Sequence, residues 1–323
     1  MDLLRAIFIG PLAQMIAAPD LLAQTIWEGF VAGVLYSLIA LGFVLIFKAS
    51  GVFNFAQGTM VLFAALSVAR MAEWMPLWAA ILLAMVIMVV LAWLVERIVL
   101  RPLVNQEGVA LLMATLGISY FLDGFGQTVW GSDIYEINLG IAKEPVMILQ
   151  NVFEGGILVN KEDFVAALVA TALVIALAIF FQRTSIGRAL RAVADDHLAA
   201  QSIGISLDRI WVIVWSVAGF VALVAGVIWG SKLGVQFSLS QVALKALPVV
   251  ILGGFTSVTG SIVGGLIIGV GEKMAEVFLG PVLVKAFDLA GGGIENWFAY
   301  MLALLFLLVR PEGLFGEKLI DRV

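Results

Sequence analysis

The stretch IWEGFVAGVLYSLIALGFVLIF, which runs from Ile26 to Phe47, decides the class of this fold. It contains one charged side chain, that of Glu28. A helix of roughly 20 predominantly apolar residues is long enough to cross the hydrocarbon core of a bilayer. The stretch therefore predicts a membrane-spanning helix.

The rest of the chain has the same character. Of its 323 residues, 63% are hydrophobic and 13% are charged, and the mean hydropathy is +1.11. Soluble globular domains carry about 25% charged residues, so we expect an all-α, polytopic membrane protein surrounded by lipid. The net charge of −5 is scattered along the chain, which predicts no nucleic-acid partner.

Nine apolar windows follow one another along the chain. They cover residues 26–47, 55–72, 77–99, 109–130, 164–181, 210–229, 242–255, 262–279 and 297–309. Because several are short or rich in glycine, we expect eight or nine transmembrane segments, some of them glycine-broken helices. We treat residues 1–323 as a single transmembrane domain, in which residues 1–22 are predicted to form an amino-terminal surface segment.

The distribution of basic residues predicts the orientation, because lysine and arginine in short loops mark the cytoplasmic side. One side of the predicted spans carries Lys48, Arg97, Arg101, Arg183, Arg188, Arg191, Arg209, Arg310, Lys318 and Arg322. The loop of residues 131–163, on the other side, carries two lysines and six acids. We expect that loop and the amino terminus outside, and loop 183–205 and the carboxyl terminus in the cytoplasm.

Loop 183–205, with the sequence RTSIGRALRAVADDHLAAQSIGI, is polar and yet helix-forming. Thr184 or Ser185 is predicted to cap a first helix, and Asp195 or Asp196 a second. Gly204 suits the end of the second helix, since glycine adopts the left-handed conformation that often ends helices.

The first of these two helices carries an apolar strip with arginines beside it. The strip comprises Ile186, Ala189, Leu190 and Val193, and the arginines are Arg188 and Arg191. An apolar strip of this kind must be covered by something. It covers the chain itself, the lipid headgroups or a groove in a partner, and the sequence leaves these three possibilities open.

Several sources of chemistry are excluded by the sequence. A GxxxxGK[ST] loop, which would cradle a nucleotide phosphate, is missing. The chain has no cysteine and one histidine, which excludes thiolate chemistry and histidine-rich metal sites. HExxH and GxSxG motifs and paired intramembrane aspartates are also missing, so we predict no catalytic residues and no enzyme activity.

An ion-coupled carrier would need ionisable residues within the membrane. The residues of this kind are Glu28, Glu96, Asp123, Lys245 and Glu272. Most lie near a predicted span end, and Asp123 is the most deeply placed acid, so ion coupling is the less favoured alternative. Lys245 lies either at the outer interface or in a vestibule, where it would pair with an acid or with a solute carboxylate.

Two stretches are candidates for the solute path. Irregular backbone at membrane depth is tolerated only where it is covered by protein or faces a water-filled cavity, and broken helices commonly frame the path of a transporter. The first contains Asn54, Gln57 and Gly58, and the second contains Gly253, Gly254, Thr256 and Ser257. For the glycines the alternative is helix packing, since GxxxG spacings allow two helices to approach closely. Such spacings occur at Gly29/Gly33, Gly260/Gly264 and Gly265/Gly269.

Four stretches of the chain resemble the LivH-like permeases of branched-chain amino acid ABC importers. They are GVLYSLIALGFVLIFKASGVFNFAQG at 33–58, TSIGRALRAVADDHLAAQSIGI at 184–205, LKALPVVILGGFTSVTGSIVGGLIIG at 244–269 and VRPEGLFG at 309–316. The resemblance implies an ATP-driven importer in the bacterial inner membrane. Its other parts would be a second, LivM-like permease subunit, two cytoplasmic ATPase subunits and a periplasmic solute-binding protein.

The same resemblance implies that ATP and Mg²⁺ are bound by the ATPase subunits, with no cofactor in this chain. Related permeases carry urea, short amides and other small solutes, so the cargo stays open. The resemblance also implies that loop 183–205 forms coupling helices that enter an ATPase groove. The coupling residues would be Ile186, Gly187, Arg188, Leu190, Arg191, Asp195, Asp196 and Gly204.

In that arrangement Arg188 and Arg191 would meet acidic residues of the ATPase, while Ile186 and Leu190 would supply an apolar anchor. The chain departs from the family pattern at Asp195-Asp196-His197, which leaves the docking open there.

Overall fold

The protein is described here by a computed structural model that covers residues 2–103, 106–153, 156–288 and 293–316. Lys318 and Arg322, which were counted on the basic side, lie outside these described residues, as does the carboxyl-terminal end. Within the described ranges the chain is almost entirely helical, as the composition predicts.

The helices are α1 (Asp2–Ala17), α2 (Pro19–Ser50), α3 (Gln57–Ala72), α4 (Leu77–Leu94), α5 (Gly108–Trp130), α6 (Lys161–Arg183), α7 (Ser185–Asp195), α8 (His197–Ser202), α9 (Leu207–Leu233), α10 (Ser238–Leu244), α11 (Leu247–Gly253), α12 (Val258–Met274), α13 (Gly280–Phe287) and α14 (Ile294–Val309). A π-helical turn, Val95–Leu100, and a 3₁₀ turn, Arg101–Leu103, extend α4, and a second π-helical turn, Ala275–Leu279, joins α12 to α13.

Five described helices are long and apolar enough to cross a membrane. They are α2, α4 with its extension, α5, α6 and α9, and the bent segment from α10 to α13 makes a sixth if it is one span. Helices α3 and α14 are apolar but shorter. The polytopic all-α fold is therefore confirmed, while the predicted count of eight or nine segments is not.

The centre of the molecule is the contact between α2 and α12, which run antiparallel. A Cβ atom on Gly29 would lie 2.6 Å from Val270 Cα, and one on Gly33 would lie 2.7 Å from the carbonyl oxygen of Gly265. Ser37 Oγ donates a hydrogen bond to the carbonyl of Ile262 at 3.2 Å. The GxxxG glycines of α2 therefore serve close helix packing, which is the alternative that their spacing allowed.

Helices α2, α3 and α9 are enclosed by the rest of the chain, whereas α4, α5 and α6 have mostly exposed faces. Apolar side chains cover those exposed faces, for example Leu82 and Val86 on α4 and Phe121 on α5. Lipid or another subunit can cover such a surface, because both are as apolar as the side chains. The short helix α3 need not span the bilayer alone, since its neighbours surround it.

The predicted external loop, 131–163, contains a short hairpin of β1 (Pro145–Ile148) and β2 (Ile157–Asn160), paired antiparallel with Pro145 opposite Asn160. Tyr135 forms an isolated antiparallel bridge with Val235 at the end of α9. This β structure was not expected from the sequence. The first long helix also begins earlier than expected. Helix α2 begins at Pro19, whereas the predicted span begins at Ile26.

The glycine-rich stretch is interrupted as predicted, between Gly253 and Val258. The bend at this break is 115°, so α12 turns back along α11 and does not continue its axis. A Cβ atom on Gly264 would lie 2.8 Å from the carbonyl oxygen of Val249. The glycines of this break thus let α11 and α12 pack against each other.

Candidate coupling elbow and polar chamber

The predicted coupling loop, residues 183–205, is a compact elbow of two short helices; we call it the elbow. It begins where α6 ends at Arg183 and Thr184 turns the chain. Thr184 Oγ1 accepts a hydrogen bond from the Gly187 amide at 3.2 Å and donates one to the Phe180 carbonyl at 2.6 Å. Thr184 is therefore the N-cap of α7, one of the two residues predicted for that role.

Two further residues fix the angle between α6 and α7. A Cβ atom on Gly187 would overlap the carbonyl group of Phe181, so only glycine fits there. Arg191 Nη1 donates to that same carbonyl oxygen at 2.7 Å, and Nη2 donates to the Gln182 carbonyl at 3.4 Å. The last carbonyls of a helix have no partners within it, and Arg191 satisfies two of them.

The guanidinium of Arg191 therefore contacts its own chain, while the residue as a whole is exposed, and its expected contact with an acidic residue of an ATPase stays a prediction. The apolar strip also contacts the chain. Leu190 is 2% exposed and Val193 is fully buried, and α7 packs on α2 and α9. Of the three possibilities, the strip covers the chain itself, so Leu190 is not available to anchor a partner.

The opposite face of the elbow is open. Arg188, Asp195 and Gly204 are exposed, while Ile186 is half-buried. Asp196 is exposed too, and its Oδ1 accepts a hydrogen bond from the Ala199 amide at 3.0 Å, which makes it the predicted cap of α8.

The end of α8 presents an apolar side chain that sequence reasoning missed. Gly204 has a φ of +89° and ends the helix as predicted. The residue before it, Ile203, is 73% exposed. The sequence feature that could have identified it is an isoleucine directly before the glycine that ends the helix in an otherwise polar loop.

A cavity of about 190 Å³ lies beside the elbow. Lys48, Arg191, Thr256, Ser257 and Phe315 line it, and Lys48 Nζ donates to the Thr256 carbonyl at 3.4 Å. Thr256 and Ser257 therefore lie at the basic end of the molecule, next to the elbow. Ser257 Oγ accepts from the Gly260 amide at 2.9 Å and caps α12.

The carboxyl-terminal motif VRPEGLFG closes the same break. The amides of Leu314 and Phe315 donate to the carbonyls of Leu252 and Gly253 at 2.8 and 3.1 Å. Gly254 has a φ of +102°, and a Cβ atom there would lie 2.8 Å from the Gly316 nitrogen. Gly253 and Gly254 are therefore packed against protein in this structure, which favours the packing interpretation of these glycines.

The residues predicted for the first part of the path are also interior. Asn54 and Gln57 are fully buried. Asn54 Oδ1 accepts from the Ala56 amide at 3.0 Å, and Gln57 Nε2 donates to the Ala218 carbonyl at 3.3 Å. Gly58 lies against the Ser240 carbonyl. The structure therefore places these residues in the packed core, where they join α3 to α9 and α10, and not along an open path.

A second cavity, of about 380 Å³, lies at the other end of the molecule, between α2, α6, α9, α10 and α12. Three ion pairs line this polar chamber. They are Lys232 with Asp163 at 2.5 Å, Lys245 with Glu272 at 3.4 Å, and Lys273 with Glu276 at 2.6 Å. Glu28 faces it as well, and accepts from Gln24 Nε2 at 3.2 Å.

The structure thus brings together two of the intramembrane residues considered above. Lys245 Nζ contacts Glu272 Oε1, which also accepts a hydrogen bond from Tyr36 at 3.2 Å. Of the two positions open for Lys245, it occupies a vestibule in which it pairs with an acid. Asp123 is half-buried on α5, a helix that does not line the chamber.

Comparison with known proteins places these features in context. A protein family described as "Branched-chain amino acid transport system / permease component" matches residues 25–310. LivH of Escherichia coli K12, a high-affinity branched-chain amino acid transport permease, is 28% identical over 93% of this chain and 97% of its own. BraD of Pseudomonas aeruginosa, described in the same way, is 26% identical over 93% and 97%. The fructose import permease FruF of Bifidobacterium longum is 24% identical over 82% and 77%.

Proposed function

The chain belongs to the family of permease components of branched-chain amino acid transport systems, and from that premise we propose that it forms the solute path of an ATP-driven importer. It is a multi-pass membrane transport subunit, not an enzyme. In the proposed importer it pairs with a second, LivM-like permease subunit in the bacterial inner membrane. Two cytoplasmic ATPase subunits bind ATP and Mg²⁺, and a periplasmic binding protein delivers the solute.

The geometry of the elbow carries this proposal. Arg191 and Gly187 fix α7 to the end of α6, and Leu190 rests on the core helices α2 and α9. A displacement of the exposed face of the elbow is therefore transmitted to the core helices, because no flexible loop of the described chain lies between them. Closure of an ATPase dimer would move the elbow as one body, and differential contact in the two states would drive the transport cycle.

The exposed residues of the elbow suggest what the ATPase contacts. Ile203 offers an apolar anchor at the tip of α8, and Arg188 and Asp195 offer charges on α7. An exposed apolar side chain surrounded by polar residues is typical of a docking site. In this arrangement Ile203 takes the anchoring role that the resemblance implies for Ile186 and Leu190, while Arg188 keeps its proposed role.

The cargo is proposed to be a branched-chain or other amino acid, in keeping with the names of LivH and BraD. The similarity to FruF supports the alternative that the same architecture carries another small solute, and urea and short amides belong to that alternative. An ion-coupled carrier, which would need no ATPase, is the remaining alternative.

Reconstitution in liposomes tests the proposal. The permease pair with its ATPases and binding protein should take up labelled leucine when ATP is enclosed with the ATPases, and the permease pair alone should take up none. Uptake by the permease chains without ATPase subunits would contradict the proposal. Uptake of fructose or urea with the ATPases, in place of leucine, would keep the mechanism and change the cargo.

A further inference from the structure

The polar chamber has charges that the coupling mechanism does not use. Building on the proposed function, we propose that the chamber binds the zwitterionic head group of an α-amino acid, with Lys245 contacting the solute carboxylate and Glu272 the solute ammonium. The Lys245–Glu272 pair opens to admit the solute and closes again after the solute has left.

The geometry singles out this pair among the three in the chamber. Its N···O distance is 3.4 Å, against 2.5 and 2.6 Å for the other two. Charge-assisted hydrogen bonds are usually about 2.7–2.9 Å long, so the Lys245–Glu272 contact is loose. It is also the most enclosed, because the Glu272 side chain is 4% exposed. A loose contact costs little to open, and an enclosed one strongly attracts a charged ligand.

The energetics of the exchange favour a zwitterion. Removing one partner from a buried ion pair leaves an uncompensated charge, which is strongly unfavourable. A solute that carries one positive and one negative group replaces each partner by another of the same sign. A neutral solute that separates the pair leaves both protein charges without an opposite charge, and a solute with one charge leaves one of them so. The chamber therefore discriminates against sugars, urea and singly charged analogues.

The rest of the chamber wall suits an aliphatic amino acid. Val31, Leu35, Leu233 and Val242 contribute apolar surface to the same wall. Trp229 also lines the chamber, and its ring stacks on that of Tyr36 with centroids 6.0 Å apart. The volume of about 380 Å³ falls within the range of about 300–1,000 Å³ that is usual for small-molecule sites.

The chain contains no cysteine, so a cysteine introduced into it can be labelled without background from the chain. Val242→Cys places a thiol in the chamber wall one helical turn from Lys245. The full permease and ATPase complex in lipid nanodiscs, without binding protein, is treated with a polar thiol reagent in the presence of test solutes. The solutes are L-leucine, 4-methylpentanoate, which lacks the ammonium, 3-methylbutylamine, which lacks the carboxylate, fructose and urea.

L-Leucine should slow labelling about tenfold at a concentration about ten times that giving half-maximal protection, as simple occupancy requires. The four other solutes at the same concentration should leave the rate unchanged. Trp74→Cys, at a site 84% exposed and away from the chamber, is the matched control and should be labelled at the same rate in every solute. Equal protection by a singly charged or neutral solute, or no protection by leucine, would overturn the inference.

A second variant separates binding from structure. The double variant Lys245→Met/Glu272→Gln removes both charges of the pair, so neither is left unpaired. If the pair were only structural, leucine would still protect Val242→Cys in this variant. We expect leucine protection to disappear. The pair Arg70→Met/Glu73→Gln, which removes an ion pair of 2.6 Å outside the chamber, should leave protection intact. Labelling needs no ATP turnover, so its outcome is independent of the uptake test for ATP coupling.

Discussion

Arg191 in the elbow and Lys245 in the polar chamber use their charges differently. In and beside the elbow, cations donate to backbone carbonyls: Arg191 to Phe181, and Lys48 to Thr256. In the polar chamber, cations face carboxylates, as Lys245 faces Glu272. A backbone carbonyl is held in place by the folded chain, whereas a carboxylate side chain can exchange one partner for another. The first arrangement produces a rigid joint and the second an adaptable site.

The rigidity of the elbow is tested most severely at Gly187. Gly187→Ala should prevent the α6–α7 corner from closing, because the added Cβ would overlap the Phe181 carbonyl. We expect co-purification of the ATPase subunits to fall at least tenfold, or about 1.4 kcal/mol in binding free energy. Gly117→Ala is the matched control, because nothing lies within 4 Å of its Cβ position on α5. Normal assembly of Gly187→Ala would show that the corner is not rigid.

The docking role of the elbow is tested at Ile203. Ile203→Glu should weaken binding of the ATPase subunits about tenfold, or about 1.4 kcal/mol, since replacing an interface residue that contributes to binding typically costs more than about 1 kcal/mol. The fold should persist, because the side chain is 73% exposed. Ile134→Glu, at an isoleucine 67% exposed in loop 131–163, should leave ATPase binding unchanged. Equal effects of the two variants would assign the loss to general destabilisation.

A smaller effect is expected at Arg191. Arg191→Met removes the two hydrogen bonds onto the Phe181 and Gln182 carbonyls and should lower the free energy of unfolding by about 1–3 kcal/mol. Thermal unfolding of the purified permease measures the loss. Arg188→Met, whose contact to the Arg183 carbonyl is 3.4 Å long and exposed, should change stability less while still weakening ATPase binding. A larger loss of stability in Arg188→Met than in Arg191→Met would contradict the capping role of Arg191.

The smallest effect on activity is expected from two cysteine substitutions that test the orientation. Trp74→Cys and Gln106→Cys alter exposed side chains that have no proposed role in docking, and both variants should transport normally. Gln106 lies at the same end of the molecule as the elbow, where Arg101 pairs with Asp208 at 3.0 Å. If the elbow is cytoplasmic, a membrane-impermeant thiol reagent added to intact spheroplasts should label Cys at position 74 only, and should label position 106 after the cells are opened. Labelling of position 106 from outside would reverse the proposed topology and remove the elbow from the ATPases.

Local features of this fold follow from the sequence more closely than contacts between distant segments. The Thr184 cap, the Asp196 cap and the Gly204 stop depend on hydrogen bonds within a few residues, which residue type and spacing determine. The direction in which Leu190 points depends on where α2 and α9 lie, and loop sequence alone does not contain that information. The strip was therefore recognised, while its covering surface was open.

The charged residues illustrate the same limit. Lys245 and Glu272 were each recognised as ionisable residues in apolar segments, but their contact depends on how α12 turns back at the 115° bend. Asn54 and Gln57 were recognised as polar residues in a small-residue stretch, and their burial follows from the packing of α3 against α9. Polarity within a membrane segment identifies a residue that needs a partner, and the tertiary fold decides whether that partner is protein or solute.

The strap formed by Leu314 and Phe315 also has a consequence for biosynthesis. These residues complete the break between α11 and α12 by pairing with Leu252 and Gly253, yet the ribosome makes them about sixty residues later. During translation the carbonyls of Leu252 and Gly253 lack these hydrogen-bond donors until α12 to α14 have been synthesised. A chain that stops before residue 314 lacks these two hydrogen bonds, so the joint between α11 and α12 is completed only after α14 has been made.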